Sequence, residues 1–194
     1  MILSICIATV PERQAQFDAL RKMLGDHPEV EYVIDPRPRG ELSVGAKRQS
    51  MIEHATGQYV VHIDDDDHVA PDYIQTVVSA LASGPDCIGH YEVVEGMAPA
   101  PQLSKWTKDA PRWMEGREAQ RYKVDYVRTT FHKTPLKREH ALAIGFKDMR
   151  FAEDHDFSKR LKASGLCRTE VFIPRVLYIY RYSNEPHEQK YGIR

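Results

Sequence analysis

The chain has 194 residues, 42% of them hydrophobic and 28% charged, which is the composition of a folded globular domain and not of a disordered chain. At that length about 70% of the unfolded surface is buried on folding, so a core forms without disulfides or a structural metal. Lys and Arg total 27 against 28 Asp and Glu, and the net charge of -1 excludes a broad electrostatic binder of nucleic acid or membrane surface while allowing a local basic patch.

No apolar run approaches the roughly 20 residues of a membrane span. Met1–Val10 is apolar but lacks a basic start and a small-residue cleavage site, so it reads as a buried strand and not as a signal peptide. Cys6, Cys87 and Cys167 lie far apart with no Cys-x-x-Cys pair. That excludes a Cys-rich zinc module and points to buried free thiols in a reducing compartment, hence to the cytoplasm, free or at the membrane periphery.

In chain order, Ile2–Ala8 reads as a strand. Pro11 opens a helix whose Phe17, Leu20 and Leu24 share a face, with Gly25 as its stop. Val30–Ile34 is a second strand, and Ser43 is a suitable N-cap for a helix reaching about Ala55. Tyr59–Ile63 is a third strand, Pro71 starts a helix built on Ile74, Val77, Val78 and Leu81, and Asp86–Val94 is a fourth strand. Gly96–Gln120 holds three prolines and both tryptophans, Trp106 and Trp113, without periodicity, and reads as a long loop or lid. Arg121–Lys133 is strand-like, Pro135–Ile144 and Ala152–Ala163 are helical, Thr169–Ile173 and Val176–Tyr182 are strands, and Ser183–Arg194 is a polar tail. The alternation of strand and helix implies an α/β fold, a Rossmann-like, mainly parallel sheet with helices on both faces. Ligands of such sheets bind beyond the carboxyl ends of the strands.

The strongest chemical signal stands at one such end. Asp64-Asp65-Asp66-Asp67-His68 follows directly on the third strand. In an extended chain Asp64 and Asp66 face one way and Asp65 and Asp67 the other. Adjacent carboxylates repel, and a divalent ion relieves the repulsion; hard oxygen ligands suit Mn²⁺ or Mg²⁺, and Mg²⁺ takes one or two carboxylates together with substrate phosphates. A calcium loop fits poorly, because the sixth and twelfth positions would be Val69 and Gln75. A second acidic group, Glu153-Asp154-His155-Asp156, opens a helix. Metal carboxylates and a separate carboxylate base are the two parts that transfer from an activated diphosphate requires. Lys47 and Arg48 near a helix start, and Arg13 after the first strand, supply cations for an anion.

Three stretches together resemble the family-2 glycosyltransferases of the GT-A fold, enzymes that transfer a sugar from a nucleotide-sugar with inversion. SICIATVPER is similar to their first strand and nucleotide loop. GAKRQSMIEHATGQYVVHIDDDDHVAPDYI is similar to the region that runs through their Asp-x-Asp site. IGFKDMRFAEDHDFSKRL is similar to their Gly-Phe, Glu-Asp and trailing Arg pattern. The resemblance implies one domain, with residues 1–94 binding the nucleotide-sugar, 95–120 as loop or lid, 121–182 on the acceptor side and 183–194 as a tail. It implies that Thr9, Pro11, Arg13, Asp35, Arg48, Asp64 and Asp65 contact the donor, with Asp35 at the base and Asp64 near the ribose. Asp66 would hold Mn²⁺ or Mg²⁺ on the diphosphate, with Asp67 and His187 as further metal-site residues, and Asp154 would be the general base.

Gln49 stands where the family often has Asn, and Asp35 is followed by Pro36 where a second Asp is common. The implied donor is a UDP-sugar; the acceptor is left open among a glycan, a lipid-linked sugar, a protein and a modified DNA base. The residues alone also admit a metal-dependent nucleotidyltransferase or phosphohydrolase, and a catalytically silent binding module of the same fold.

Overall fold

The structure, a computed structural model, describes residues 1–182. Its first half follows the expected alternation: β1 (Leu3–Ala8), α1 (Gln14–Leu24), β2 (Val30–Asp35), α2 (Val44–His54), β3 (Tyr59–His62), the short β4 (His68–Val69), α3 (Tyr73–Leu81) and β5 (Cys87–Glu95). Ser43 caps α2 as its sequence suggests, its Oγ accepting from the Ala46 N–H at 3.0 Å. The second half carries β6 (Gln102–Trp106), β7 (Met114–Glu115), α4 (Gly116–Gln120), β8 (Tyr126–Arg128), β9 (Leu136–Lys137), α5 (Arg138–Ile144), α6 (Glu153–Ser164) and β10 (Glu170–Arg181).

One sheet runs in the order β2-β1-β3-β9-β5-β6-β8-β7, with β10 against β5 and β4. β1 lies parallel to both β2 and β3, and β5 is parallel to β10. The short β9 enters antiparallel between β3 and β5, so those two strands are not direct neighbours. Side-chain alternation splits the core. Leu3, Ile5 and Ile7 face α1 and α3, while Cys6 faces Met51, Ile52, Phe157 and Leu161 of α2 and α6. Strands buried on both faces read as continuous apolar runs, which is why ILSICIA shows no polar alternation. Each fully buried Leu or Ile contributes about 1.5–3 kcal/mol to this core.

The stretch 96–120 differs from the loop or lid expected of it. Gln102–Trp106 pairs antiparallel with β5, and Trp106 is completely enclosed by His90, Phe131 and Tyr178. The flanking prolines hide the strand in sequence, since they bound it without entering it. Two further differences are local. Within Arg121–Lys133 the strand is confined to Tyr126–Arg128, and the two terminal strands are a single strand whose register slips around Pro174, a residue with no N–H for the ladder.

α2 packs unusually close to the segment before α6. A Cβ on Gly45 would lie 2.0 Å from the Lys147 carbonyl oxygen, and the Gly45 N–H donates to the Met149 carbonyl at 3.1 Å. The Phe146 N–H donates to Gln49 Oε1 at 2.7 Å, fastening the same segment a second time. Among the described residues no helix is long and apolar enough to cross a membrane.

Candidate active site

The carboxyl ends of β1 and β3 open into a cavity of about 320 Å³. Thr9 and Arg13 line it after β1, Arg48 from α2, Asp64, Asp65 and Asp66 after β3, and Asp154 from α6. The four aspartates do not alternate as an extended chain would place them. The Asp67 N–H bonds back to the Asp64 carbonyl at 3.1 Å, which turns the chain. Asp64, Asp65 and Asp66 thereby all reach the cavity and Asp67 does not.

Each carboxylate has its own counter-charge. The Thr9 hydroxyl donates to Asp65 Oδ2 at 2.8 Å, and Arg13 Nη1 lies 2.9 Å from both Asp65 and Asp66. Burial of Asp65 outweighs these donors and pushes its carboxyl above the usual range. Asp64 meets Arg48 Nη2 at 2.9 Å and Lys133 Nζ at 3.2 Å. Burial alone would raise Asp64, but Lys133 and Arg48 prevail and hold it well below the usual carboxylate range.

Asp67 sits in the interior. It accepts from Lys133 Nζ at 2.6 Å, the Tyr178 hydroxyl at 2.7 Å and the Arg181 N–H at 3.0 Å. Those three donors hold it in the interior and it does not line the cavity, which sets it apart from Asp66 as a metal-site residue. His187 lies outside the described residues.

The two acidic groups, 89 positions apart in sequence, meet through Arg48. Its Nε donates to Glu153 Oε1 at 3.1 Å while its Nη2 reaches Asp64. A guanidinium serves this bridge because its fork presents several fixed donors at once. His132 lies between the two acidic groups, with Nε2 3.9 Å from Asp64 and Nδ1 3.9 Å from Asp154, beyond hydrogen-bond distance of either. Burial and Arg48 push the His132 imidazole down to about 3, so it is neutral at physiological pH.

Asp154 is the second residue of α6 and its side chain is 24% exposed. Ala152 begins that helix at φ 60, a left-handed conformation that a residue with a Cβ seldom adopts and that clusters at functional sites. Arg128 Nη2 lies 2.6 Å from Asp154 Oδ2. Burial would raise this carboxyl, but Arg128, His132 and Arg48 outweigh it and hold Asp154 well below the usual range.

Two residues expected to touch a donor stand off the cavity. Pro11 is exposed at the start of a 3-10 turn. Asp35 is buried at the end of β2, where the Arg37 backbone N–H donates to it at 3.1 Å and Lys47 Nζ is 3.9 Å away. Burial would raise it, and the Arg37 hydrogen bonds keep it low. Sequence reasoning missed Glu92, Arg128, His132 and the buried Lys133, all of which line the cavity. None of them sits in a local pattern; the register of β5, β6 and β8 gathers them.

Known structures share this arrangement of elements. TarS 1-349 of S. aureus in complex with UDP-GlcNAc superposes with a TM-score of 0.67 at 13% identity, over 97% of this chain and 61% of that one. A longer S. aureus TarS chain gives 0.67 at 15% identity over 95% of this chain and 37% of its own length. TarS 1-349 in complex with UDP gives 0.66 at 15% identity over 94% and 61%. The chain thus spans less than two thirds of the length of each of these neighbours, and at such identities the likeness is one of fold. A sequence search among curated proteins finds no match. The family model described as Glycosyl transferase family 2 matches residues 15–138, which include α2, the four aspartates and Lys133. With this match on a GT-A-type sheet, the chain belongs to glycosyl transferase family 2.

Proposed function

We propose that the protein is an inverting glycosyltransferase that moves a sugar from a UDP-sugar to an acceptor hydroxyl. The observation that carries this reading is the convergence of Asp64–Asp66 and Asp154 on one cavity, with Arg48 joining Asp64 to Glu153 beside Asp154. The nucleotide enters at the carboxyl ends of β1 and β3, near Thr9 and Arg13. Arg13 and Arg48 bring positive charge to the diphosphate.

Asp154 takes the proton of the acceptor hydroxyl as that oxygen bonds to the anomeric carbon, and the bond from that carbon to the diphosphate oxygen breaks on the opposite side. The hydroxyl becomes acidic only as its new bond forms, so a carboxylate of low pKa suffices. Arg128 holds Asp154 ionised and oriented. The acceptor comes over a rim that includes Trp113 and Phe151, exposed by 38% and 52%. Their flat faces suit a sugar ring, which favours a glycan acceptor.

The residues fit a divalent ion of one kind. Among the described residues no three His, Cys, Asp or Glu side chains converge into a protein-only cage. Asp66, 21% exposed in the cavity, and Asp64 beside it suit an ion that takes one or two carboxylates and completes its shell with substrate phosphate oxygens. Mn²⁺ or Mg²⁺ bound there would offset the charge of the departing diphosphate. Three free cysteines, two of them buried, fit a cytoplasmic setting.

Calorimetric titration with UDP, GDP and UDP-sugars, each with and without Mn²⁺, tests the donor reading. Metal-dependent UDP binding supports it. Absence of binding to any nucleoside diphosphate sinks it and leaves a silent module or another metal chemistry.

A further inference from the structure

Glu92 is a cavity residue for which the mechanism above has no use. It lies on β5, is 5% exposed, and borders the cavity. Among the described residues no hydrogen bond or ion pair reaches its carboxyl group, whereas every other acidic side chain around the cavity is engaged. A carboxyl group on a cavity wall with no protein partner is left to a ligand that enters the cavity. Burial pushes the Glu92 carboxyl up to about 8, against the pull of Lys133, so near neutral pH it is a neutral acid with one donor and one acceptor. A sugar hydroxyl, itself donor and acceptor, is the complement of that group.

The sheet register supplies a second polar group. Glu92 is the cross-strand partner of Ser104 on β6, and both border the cavity. Trp106 Nε1 donates to Ser104 Oγ at 2.9 Å, which fixes the oxygen and leaves its hydroxyl proton for another acceptor.

Position decides which sugar is meant. The charges that act on Glu92 are those of Lys133, Asp67, Arg128 and Asp64. Lys133 touches Asp64, at the diphosphate end, and Arg128 touches Asp154, at the base. The ring undergoing transfer must lie between those two ends, because the diphosphate leaves on one side of its anomeric carbon and the base-held hydroxyl attacks from the other. The nucleoside belongs farther off, at Thr9 and Arg13, and the acceptor beyond Asp154 at the rim.

We infer that Glu92 binds a hydroxyl of the transferred sugar and, with Ser104, determines which sugar the donor carries. The inference rests on the donor reading given above and names the sugar-binding residues within it.

The test compares wild type, Glu92→Gln and Glu92→Leu by calorimetry with UDP, UDP-glucose, UDP-galactose and UDP-N-acetylglucosamine in Mn²⁺. In wild type at least one UDP-sugar binds tighter than UDP. Glu92→Leu loses about tenfold of that gain, the worth of a hydrogen bond to a buried acid, with UDP affinity little changed. Glu92→Gln, which keeps a donor and an acceptor, retains part of the gain and alters the order of the three sugars. An unchanged gain in Glu92→Leu, or no gain in wild type, overturns the role of Glu92 while the donor reading stands on UDP binding. Wild type that binds no UDP overturns both. Thermal melting separates a folding defect from a binding one: no described residue bonds to the Glu92 carboxyl, so Glu92→Leu leaves Tm equal or higher, and a lower Tm also counts against the inference.

Discussion

Arg128 and Asp154 form an ion pair at 2.6 Å that shapes the proposed base before any substrate arrives. The guanidinium also stacks over Phe131 at 3.8 Å and stands 5.2 Å from the Trp113 ring, so it is held from below and covered from the rim. An opposite charge at this distance lowers a carboxyl by about 1–3 pKa units. In wild type, the acid limb of a kcat–pH profile therefore falls below the ordinary carboxylate range. Arg128→Leu removes the cation and leaves the burial, so the limb moves up towards neutral pH. A limb that stays in place in that variant removes Asp154 as the titrating base.

Asp154→Asn keeps the shape of the side chain and removes its ability to take a proton. Turnover falls by about 10²–10⁴-fold, the range for loss of a positioned acid or base. UDP affinity stays within about twofold, because the nucleotide end is built from other residues. Single-turnover assays beside calorimetry read both quantities; near-normal turnover in Asp154→Asn moves the base elsewhere.

Asp66→Ala tests the metal site. If the ion rests on Asp66, Mn²⁺ no longer tightens UDP binding in the variant, whereas metal-free binding is retained, because Arg13 keeps its contact with Asp65. A Mn²⁺ response equal to wild type places the ion on other ligands.

Lys133 carries a structural charge. It neutralises Asp67 at 2.6 Å and Asp64 at 3.2 Å, and its ammonium lies 4.2 Å from the Tyr180 ring centre. Burial would lower this lysine, but Asp67 and Asp64 outweigh it and keep it charged. Lys133→Met leaves Asp67 without a counter-charge and Asp64 with Arg48 alone, and costs about 3–5 kcal/mol of stability, the usual result of breaking a buried pair from one side. Adding Asp67→Asn recovers part of the loss. Urea midpoints of the single and double variants measure it, and a shift of less than about 1 kcal/mol in Lys133→Met contradicts a buried charge cluster.

What was legible in the chain divides by the range of the interactions concerned. β1, α2 and α3 announce themselves because a buried strand, the Ser43 cap and the Ile74–Val77–Val78–Leu81 face are local patterns. Asp64–Asp66 and Asp154 are legible as chemistry because they form short acidic runs beside recognisable elements. Glu92, Arg128 and His132 are not. Each is an ordinary residue in its own neighbourhood and becomes a cavity residue only when β5, β6 and β8 align. Trp106 misleads in the opposite direction: prolines around it suggest a loop, while the ring fills the core. The turn at Asp64–Asp67 was equally hidden, because alternation along an extended chain is the default reading and the bond that overrides it joins backbone atoms.

The contact at Gly45 stiffens one lip of the cavity. That lip, the stretch leading to Asp154, is clamped to α2 by an approach that admits no side chain, by the backbone bond to Met149 and by Gln49. Arg48, one turn along the same helix, grips Glu153 beside the base. Proposed base and α2 thus travel as one stiff unit, and a larger side chain at position 45 would pry them apart.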